Sequence, residues 1–323
     1  MKTKIRINLM AGLLASSLFA ISASASDYPA RDIDFVVGYS AGGSTDVLAR
    51  MVAPYLQQQL GDASIAVLNR PGGAGEVSYT EIARARPDGY TIGMVNMPGV
   101  INPIIERTPA YSLDNFTYLG NLVFDPTAVF VKSSSEFKTL KDWVEYAKAN
   151  PGKLTVSNPG LGGAQHTSFE RFLMKADIKL NNIPFNGGAR SRAALLGGHV
   201  SASVMGFSEA ADLVASGDVR VLGIMSDKRI EGSADAPTFQ EQGYDIIGGS
   251  YRGLVAPAGL ESDVVDKLQA AVKAVAEDET FAADARKRMY LLTYQSPEQM
   301  ARQAKLLQTE MTELWSSHPW VKK

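Results

Sequence analysis

The 323-residue chain has no cysteine, only three histidines and only three tryptophans. Without thiols it can hold no disulfide, no thiolate metal site and no lipid-modified cysteine of the kind that anchors bacterial lipoproteins. An excess of positive charge is missing too: 32 Lys and Arg stand against 34 Asp and Glu, a formal charge of −2. That excludes nucleic acid as a partner, because binding it requires a basic stripe that displaces condensed counterions. Long apolar runs are scarce. The one candidate, Ile7 to Ile21, is broken by Asn8, Gly12, Ser16 and Ser17 and falls short of the roughly 20 residues that span a bilayer. With Lys2, Lys4 and Arg6 before it and Ala23-Ser24-Ala25 after it, the run has the layout of a secretory signal peptide over 1–25, cleaved after Ala25. Its removal takes away three positive charges and no acid, moving the formal charge from −2 to −5. The expected product is a protein of about 300 residues free in an extracytoplasmic space, roughly two domains at the usual 100 to 200 each.

Strand-like and helix-like segments alternate along most of the chain, the pattern of an α/β protein with mainly parallel sheets. Residues 33–37 read as a strand and 45–60 as a helix, with Leu48, Val52, Leu56 and Leu60 at helical spacing and Gly61 closing it. Pro54 inside that helix is expected to kink it. The unit recurs, with strands at 65–69, 91–96, 127–132, 154–157, 180–185, 201–205 and 219–225. Helices at 76–85, 140–150, 165–175, 189–196 and 209–216 fall between them, and the end is helical at 263–276 and 297–315. No linker or low-complexity tract divides the chain, so two domains imply that it crosses between them more than once.

One device repeats: an apolar strand runs into a glycine-rich turn, and a helix starts directly after it. It occurs at Gly38 to Asp46, Asn69 to Gly75, Asn158 to Gly163 and Phe185 to Gly188. Such a turn leaves free N–H groups at the positive end of a helix dipole, and glycine lets an anion approach them closely. Each charge-assisted hydrogen bond to a carboxylate there contributes about 1 to 2 kcal/mol. A single loop of this kind is most simply a tight turn. Four of them, two in each half of the chain, point to a shared anion-binding cleft. None ends in the Lys-Ser/Thr of a P-loop, and the first unit lacks G-x-G-x-x-G, which excludes nucleotides.

A rival occupies the same segment. Gly38-Tyr39-Ser40-Ala41-Gly42 satisfies the G-x-S-x-G nucleophile elbow between a strand and a helix, the alternative being a serine hydrolase. Its position argues against hydrolysis: only about a dozen mature residues precede it, where a hydrolase needs several strands and an oxyanion loop. A triad would also need His166, His199 or His318, and His318 lies in a tryptophan-containing tail that reads as a frayed terminus. His166 and Glu170 stand four apart, as zinc ligands can, but no third ligand is evident. No metal, cofactor or catalytic residue is predicted.

The strings G-Y-S-A-G-G-S-T-D-V-L-A-R at Gly38–Arg50, N-R-P-G-G-A-G at Asn69–Gly75 and P-D-G-Y at Pro87–Tyr90 resemble the tripartite tricarboxylate transporter receptor family, also called Bug. The likeness continues through I-N-P at Ile101–Pro103, P-G-K at Pro151–Lys153, L-L-G-G-H-V at Leu195–Val200 and A-P-A-G at Ala256–Gly259, over nearly the whole mature chain. It implies a type II periplasmic binding fold: two α/β lobes, 26–125 plus 252–323 and 126–251, joined by a double crossover and closing on a ligand. It implies capture of a small carboxylate, and as partners a two-component membrane permease and, as a second use, a sensor kinase, with the protein acting as a monomer. Carried onto this sequence, the first-lobe contacts are Tyr39, Ser40, Ala41, Gly42, Gly43, Ser44, Thr45 and Asn96. The second-lobe contacts are Gly160, Leu161, Gly162, Gly163, Ala164, Gln165, His166, Phe185, Asn186, Gly187 and Gly188. Asp46 is read as structural. Ser40 stands where many relatives have proline and is expected to add a hydroxyl contact. Val204-Met205-Gly206 is apolar where many have an acid, which points away from amino acids and toward plain di-acids or aromatic acids. Arg252 pairs either with a distal carboxylate or in a hinge or surface salt bridge.

Overall fold

The computed structural model describes residues 28–61, 63–230, 233 and 236–320; the expected signal segment lies outside them. The strands are β1 Ile33–Val37, β2 Ile65–Asn69, β3 Thr91–Met97, β4 Phe116–Lys132, β5 Thr155–Asn158, β6 Asn181–Pro184, β7 Ala202–Gly206, β8 Val219–Ile224, β9 Gly249–Pro257 and β10 Leu291–Gln295. The helices are α1 Ser44–Leu60, α2 Glu76–Arg84, α3 Asn102–Glu106, α4 Leu140–Ala149, α5 Ala164–Ala176, α6 Gly188–Leu196, α7 Ala211–Ala215, α8 Ser262–Glu277, α9 Glu279–Lys287 and α10 Pro297–Ser317.

Two sheets share one strand. The first runs β2-β1-β3-β9-β4 with β10 beyond, and the second runs β6-β5-β7-β4 with β8 on the other side. In each, the outer three strands are parallel, as βαβ units require, whereas β4 and β9 run antiparallel to their neighbours. The sheets are thus mixed, and the antiparallel part is the part that crosses. Residues Phe116–Pro126 of β4 pair with β9, and Thr127–Lys132 pair with β7 and β8. The return crossing lies beside it: Thr127 N–H donates to Gly248 O at 2.9 Å and Gly248 N–H to Met225 O at 3.0 Å.

Separate apolar cores fill the two bodies. Phe35, Leu48, Val52, Leu56, Leu254, Val272 and Phe281 close over one face of the first sheet. In the second, Trp143, Phe169, Phe172 and Phe239 pack with Val129 and Val204. Helix α1 keeps its helical course across Pro54, which lies on the exposed face. Water there can take the carbonyl that proline leaves unbonded, so the helix is not broken. Glycine marks the tightest crossings. A Cβ on Gly253 would stand 2.7 Å from Gly120 O, and one on Gly249 would stand 2.5 Å from Asp125 O. The C-terminal tail is not frayed as far as Trp320: its ring is 7% exposed, its Nε1 donates to Glu106 Oε1 at 2.5 Å, and it packs edge-on against Trp315.

Candidate functional site

The same loop is built twice, once in each body. After β1, Gly42 takes φ +79° and its N–H donates to Asp46 Oδ2 at 2.9 Å, while Gly43 N–H donates to Ser40 O at 3.2 Å. After β5, Gly162 takes φ +69°, its N–H donates to His166 Nδ1 at 3.2 Å, and Gly163 N–H donates to Gly160 O at 3.4 Å. Ser40 to Gly43 therefore corresponds to Gly160 to Gly163, and Asp46 to His166. Only glycine takes the positive φ without strain. The loop ends on a glycine N-cap in both cases, and α6 likewise starts on Gly187; none of the three has a side-chain cap. Elsewhere α4, α9 and α10 are capped by Thr139, Asp278 and Ser296. The glycine-started helices leave their first N–H groups free for something else.

The residues that shape these loops are already engaged. Burial opposes ionisation of Asp46, but its bonds to Arg50, Gly42 and Asn69 outweigh it and hold the carboxyl below the usual range. His166 is 2% exposed, and burial pushes it down to about 4, so the ring is neutral and its Nδ1 accepts. Its Nε2 faces Glu170 Oε1 at 3.5 Å. A group of three or more metal-ligating side chains is not found among the described residues. Asn96 Nδ2 donates to Thr45 Oγ1 at 2.9 Å, both buried, and Asn96 Oδ1 has no partner. Tyr39 turns back into its own body, donating to Ala74 O at 3.1 Å.

On the second side, Gly160 lies against Phe185 O, and Gly187 N–H donates to Pro159 O at 2.8 Å, which brings those two loops together. Phe185 is half-buried against the second body's core. Ser40, Ala41, Gly42, Leu161 and Asn186 are exposed at the rim; Gly43, Ser44, Gly160, Gly163, Gly187 and Gly188 are intermediate; Gly162, Ala164 and Gln165 are buried. The bodies meet where Asn102 Nδ2 donates to Gly162 O, and where Glu106 and Trp320 face the same glycine. Hollows of about 750 Å³ and 610 Å³ lie elsewhere, one beside α1 and β2 and one around Lys138, Phe207 and Met289.

One charged feature escaped the sequence reading. Glu209 stands just past β7, its Oε1 3.2 Å from Ser44 Oγ at the start of α1. A Cβ on Gly188, the first residue of α6, would overlap its Oε2. A carboxyl group therefore sits where helix starts from both bodies meet, and the absence of an acid at 204–206 does not make the cleft acid-free. Strand ends carried the signal: ligands collect beyond the carboxyl ends of parallel strands, and Glu209 is the first charged residue past β7 as Asn96 is a polar one at the end of β3. Arg252 resolves to the salt bridge. It is 1% exposed, and its Nη2 stands 2.5 Å from Asp125 Oδ2, which also accepts from Ser208 Oγ at 2.7 Å. Its Nε and Nη1 have no hydrogen-bond partner.

A family model described as tripartite tricarboxylate transporter family receptor matches residues 48–312. The chain is 36% identical over 270 residues to a UPF0065 protein in the gbd 5' region of Cupriavidus necator, covering 83% of this chain and 82% of that one. Among solved structures it is similar to the periplasmic binding protein BugD, with TM-score 0.84 and 28% identity over 92% of this chain and 100% of that one. It is also similar to an R. palustris protein solved with adipate, with TM-score 0.84 and 26% identity over 90% of this chain and 98% of that one. The family is one of receptors, and the elbow at Ser40 is the loop that joins β1 to α1. Two sheets on a shared crossing strand, twinned glycine loops and a match over most of the chain lead to one conclusion: the chain belongs to the tripartite tricarboxylate transporter receptor family, whose members bind substrates and do not transform them.

Proposed function

We propose that this protein is a periplasmic solute receptor that captures a small carboxylate between its lobes, a di- or tricarboxylate or an aromatic acid, and delivers it to a tripartite-type permease. The lobes are taken as residues 26–125 with 252–323 and residues 126–251. The observation that carries this reading is the Glu209 carboxyl held between the start of α1 and the start of α6. The Ser44 hydroxyl of one body and the glycine-started α6 of the other both approach that carboxyl, which supports a place suited to a carboxylate. The adipate held by the R. palustris relative supports the same class of ligand.

Free N–H groups of α1, α5 and α6, with Thr45 and Asn96, would hold the anion, and the ligand would favour the closed state by touching both lobes at once. No helix among the described residues is long and apolar enough to cross a membrane, which accords with a protein that meets its permease by docking. Thermal-shift screening against adipate, citrate, benzoate and phthalate tests the reading. Ligand at a hundred times its Kd stabilises by about 2.7 kcal/mol, a rise of several degrees, with the acid recovered unchanged. No response to any acid, together with turnover of an ester that Ser40→Ala abolishes, would refute it.

A further inference from the structure

We propose that Glu209 is a ligand-contacting residue that takes up a proton as the cleft accepts a di-acid, so that carboxylate capture is coupled to proton binding. This rests on the function proposed above and adds to it a residue and a proton. Glu209 Oε1 lies 3.2 Å from Ser44 Oγ, and its other oxygen lies over Gly188, so the group occupies the gap between the two lobes' helix starts. An incoming carboxylate drawn to those N–H groups must settle beside it.

The charges around Glu209 do not neutralise it. From β4 comes Asp125, a second acid; from β9 comes Arg252, whose Nη2 is committed to Asp125 at 2.5 Å. From α6, Arg192 turns away, bonding Asp212 of α7 at 2.8 Å through Nη1 and reaching only the main-chain oxygen of Glu209 at 3.2 Å. The loop before α1 presents Tyr39, and the segment before β10 presents Tyr290, whose hydroxyl donates to Ser44 O at 2.7 Å. Two acids thus share one buried guanidinium, and among the described residues no cation hydrogen-bonds the Glu209 carboxyl. Burial first, and then Asp125, push Glu209 up to about 7, with Arg252 and Ser44 opposing the rise.

Two carboxylates at hydrogen-bond distance in such a place do not both stay ionised; they share a proton. Protonated, Glu209 donates its O–H to a ligand oxygen in place of repelling it. The sign follows. The ligand raises the affinity of Glu209 for its proton, so binding is strongest below pH 7 and weakens above it, by up to tenfold per pH unit until the liganded group also titrates.

Calorimetric titration of the mature protein with adipate from pH 6 to pH 9 tests this. Affinity is expected to fall by up to about 50-fold between pH 7 and pH 9, the change in the protonated fraction of a group titrating near 7. At pH 7 about half a proton should enter per adipate, read from the difference in heat between two buffers of unlike ionisation enthalpy. Glu209→Gln should flatten the profile and bind adipate more tightly than the parent protein at pH 9. A flat parent profile without proton uptake overturns the proposal, as does a Glu209→Gln variant that keeps the slope. Affinity that rises with pH and favours acids bearing an amine also overturns it, since an amine calls for ionised Glu209. The two readings fail differently: if adipate, citrate, benzoate and phthalate all fail to bind at pH 6, the receptor function itself falls, whereas binding at pH 6 with a flat profile removes only the proton.

Discussion

Arg252→Met is expected to destabilise the protein by about 3 to 5 kcal/mol, the usual cost of removing one member of a buried ion pair. The arginine is 1% exposed and Asp125 is fully buried, so the substitution leaves a carboxylate with Ser208 N at 3.1 Å and Ser208 Oγ at 2.7 Å but no countercharge. Two of the three guanidinium nitrogens make no protein hydrogen bond, so the pair is weaker than an ideal fork. The orphaned acid still dominates, because removing a charge's partner costs more than the pair contributes in net stability. Against the 5 to 15 kcal/mol typical of folded proteins, the loss is severe. Asp125→Asn combined with Arg252→Met removes both charges and should recover much of it, giving a strongly non-additive double-mutant cycle. Urea denaturation followed by fluorescence and by circular dichroism measures each corner and tests whether both lobes unfold together. A loss below 1 kcal/mol in the single variant, or a double variant no more stable than it, would refute the reasoning.

Three further outcomes are expected. His166 is held near 4 in the folded chain against about 6.5 when unfolded, so its contribution is complete above pH 6.5 and is lost as pH falls toward 4, about 3 kcal/mol over that window; His166→Asn should reduce the slope of stability against pH there, and an unchanged slope counts against it. Gly188→Ala places a methyl group on the Glu209 carboxyl, and calorimetry should show adipate affinity reduced at least tenfold with the melting temperature nearly unchanged; retained affinity would show that the carboxyl lies outside the ligand's reach. Trp320→Ala removes the ring facing Gly162 and Glu106, and hydrogen exchange in the Gly160–Gly163 loop should quicken while the β1 amides stay protected; equal protection in both variants rules out a bracing role for the ring.

Much of the fold was legible because the outer strands and their helices obey local rules. β1 and β2 fall where apolar runs end in turn residues, and α1 where Leu48, Val52 and Leu56 recur at helical spacing. What periodicity missed lies at the crossing. The first half of β4 carries Gly120, Asn121, Asp125 and Pro126, and β9 carries Gly249, Arg252 and Gly253, residues that weaken an isolated strand. There they are required by close backbone approach and by a charge pair that spans 127 positions in sequence, which no local window contains. β10 was hidden for a related reason: half-buried at every position, it shows no alternation. The candidate site divides the same way. Glycine loops announce themselves by composition and order. Glu209 does not, since its meaning comes from Ser44, 165 residues away.

The unbroken passage of β4 from one sheet into the other limits how the halves can part. A loop hinge would let them swing freely, whereas a continuous strand resists bending and yields mainly in twist. At the crossing, Pro126 has no N–H to offer a ladder, and it pairs with Gly249 while Thr127 N–H donates to Gly248 O. Any relative movement of the halves is therefore expected as twist along this strand and its neighbour, not as a free swing.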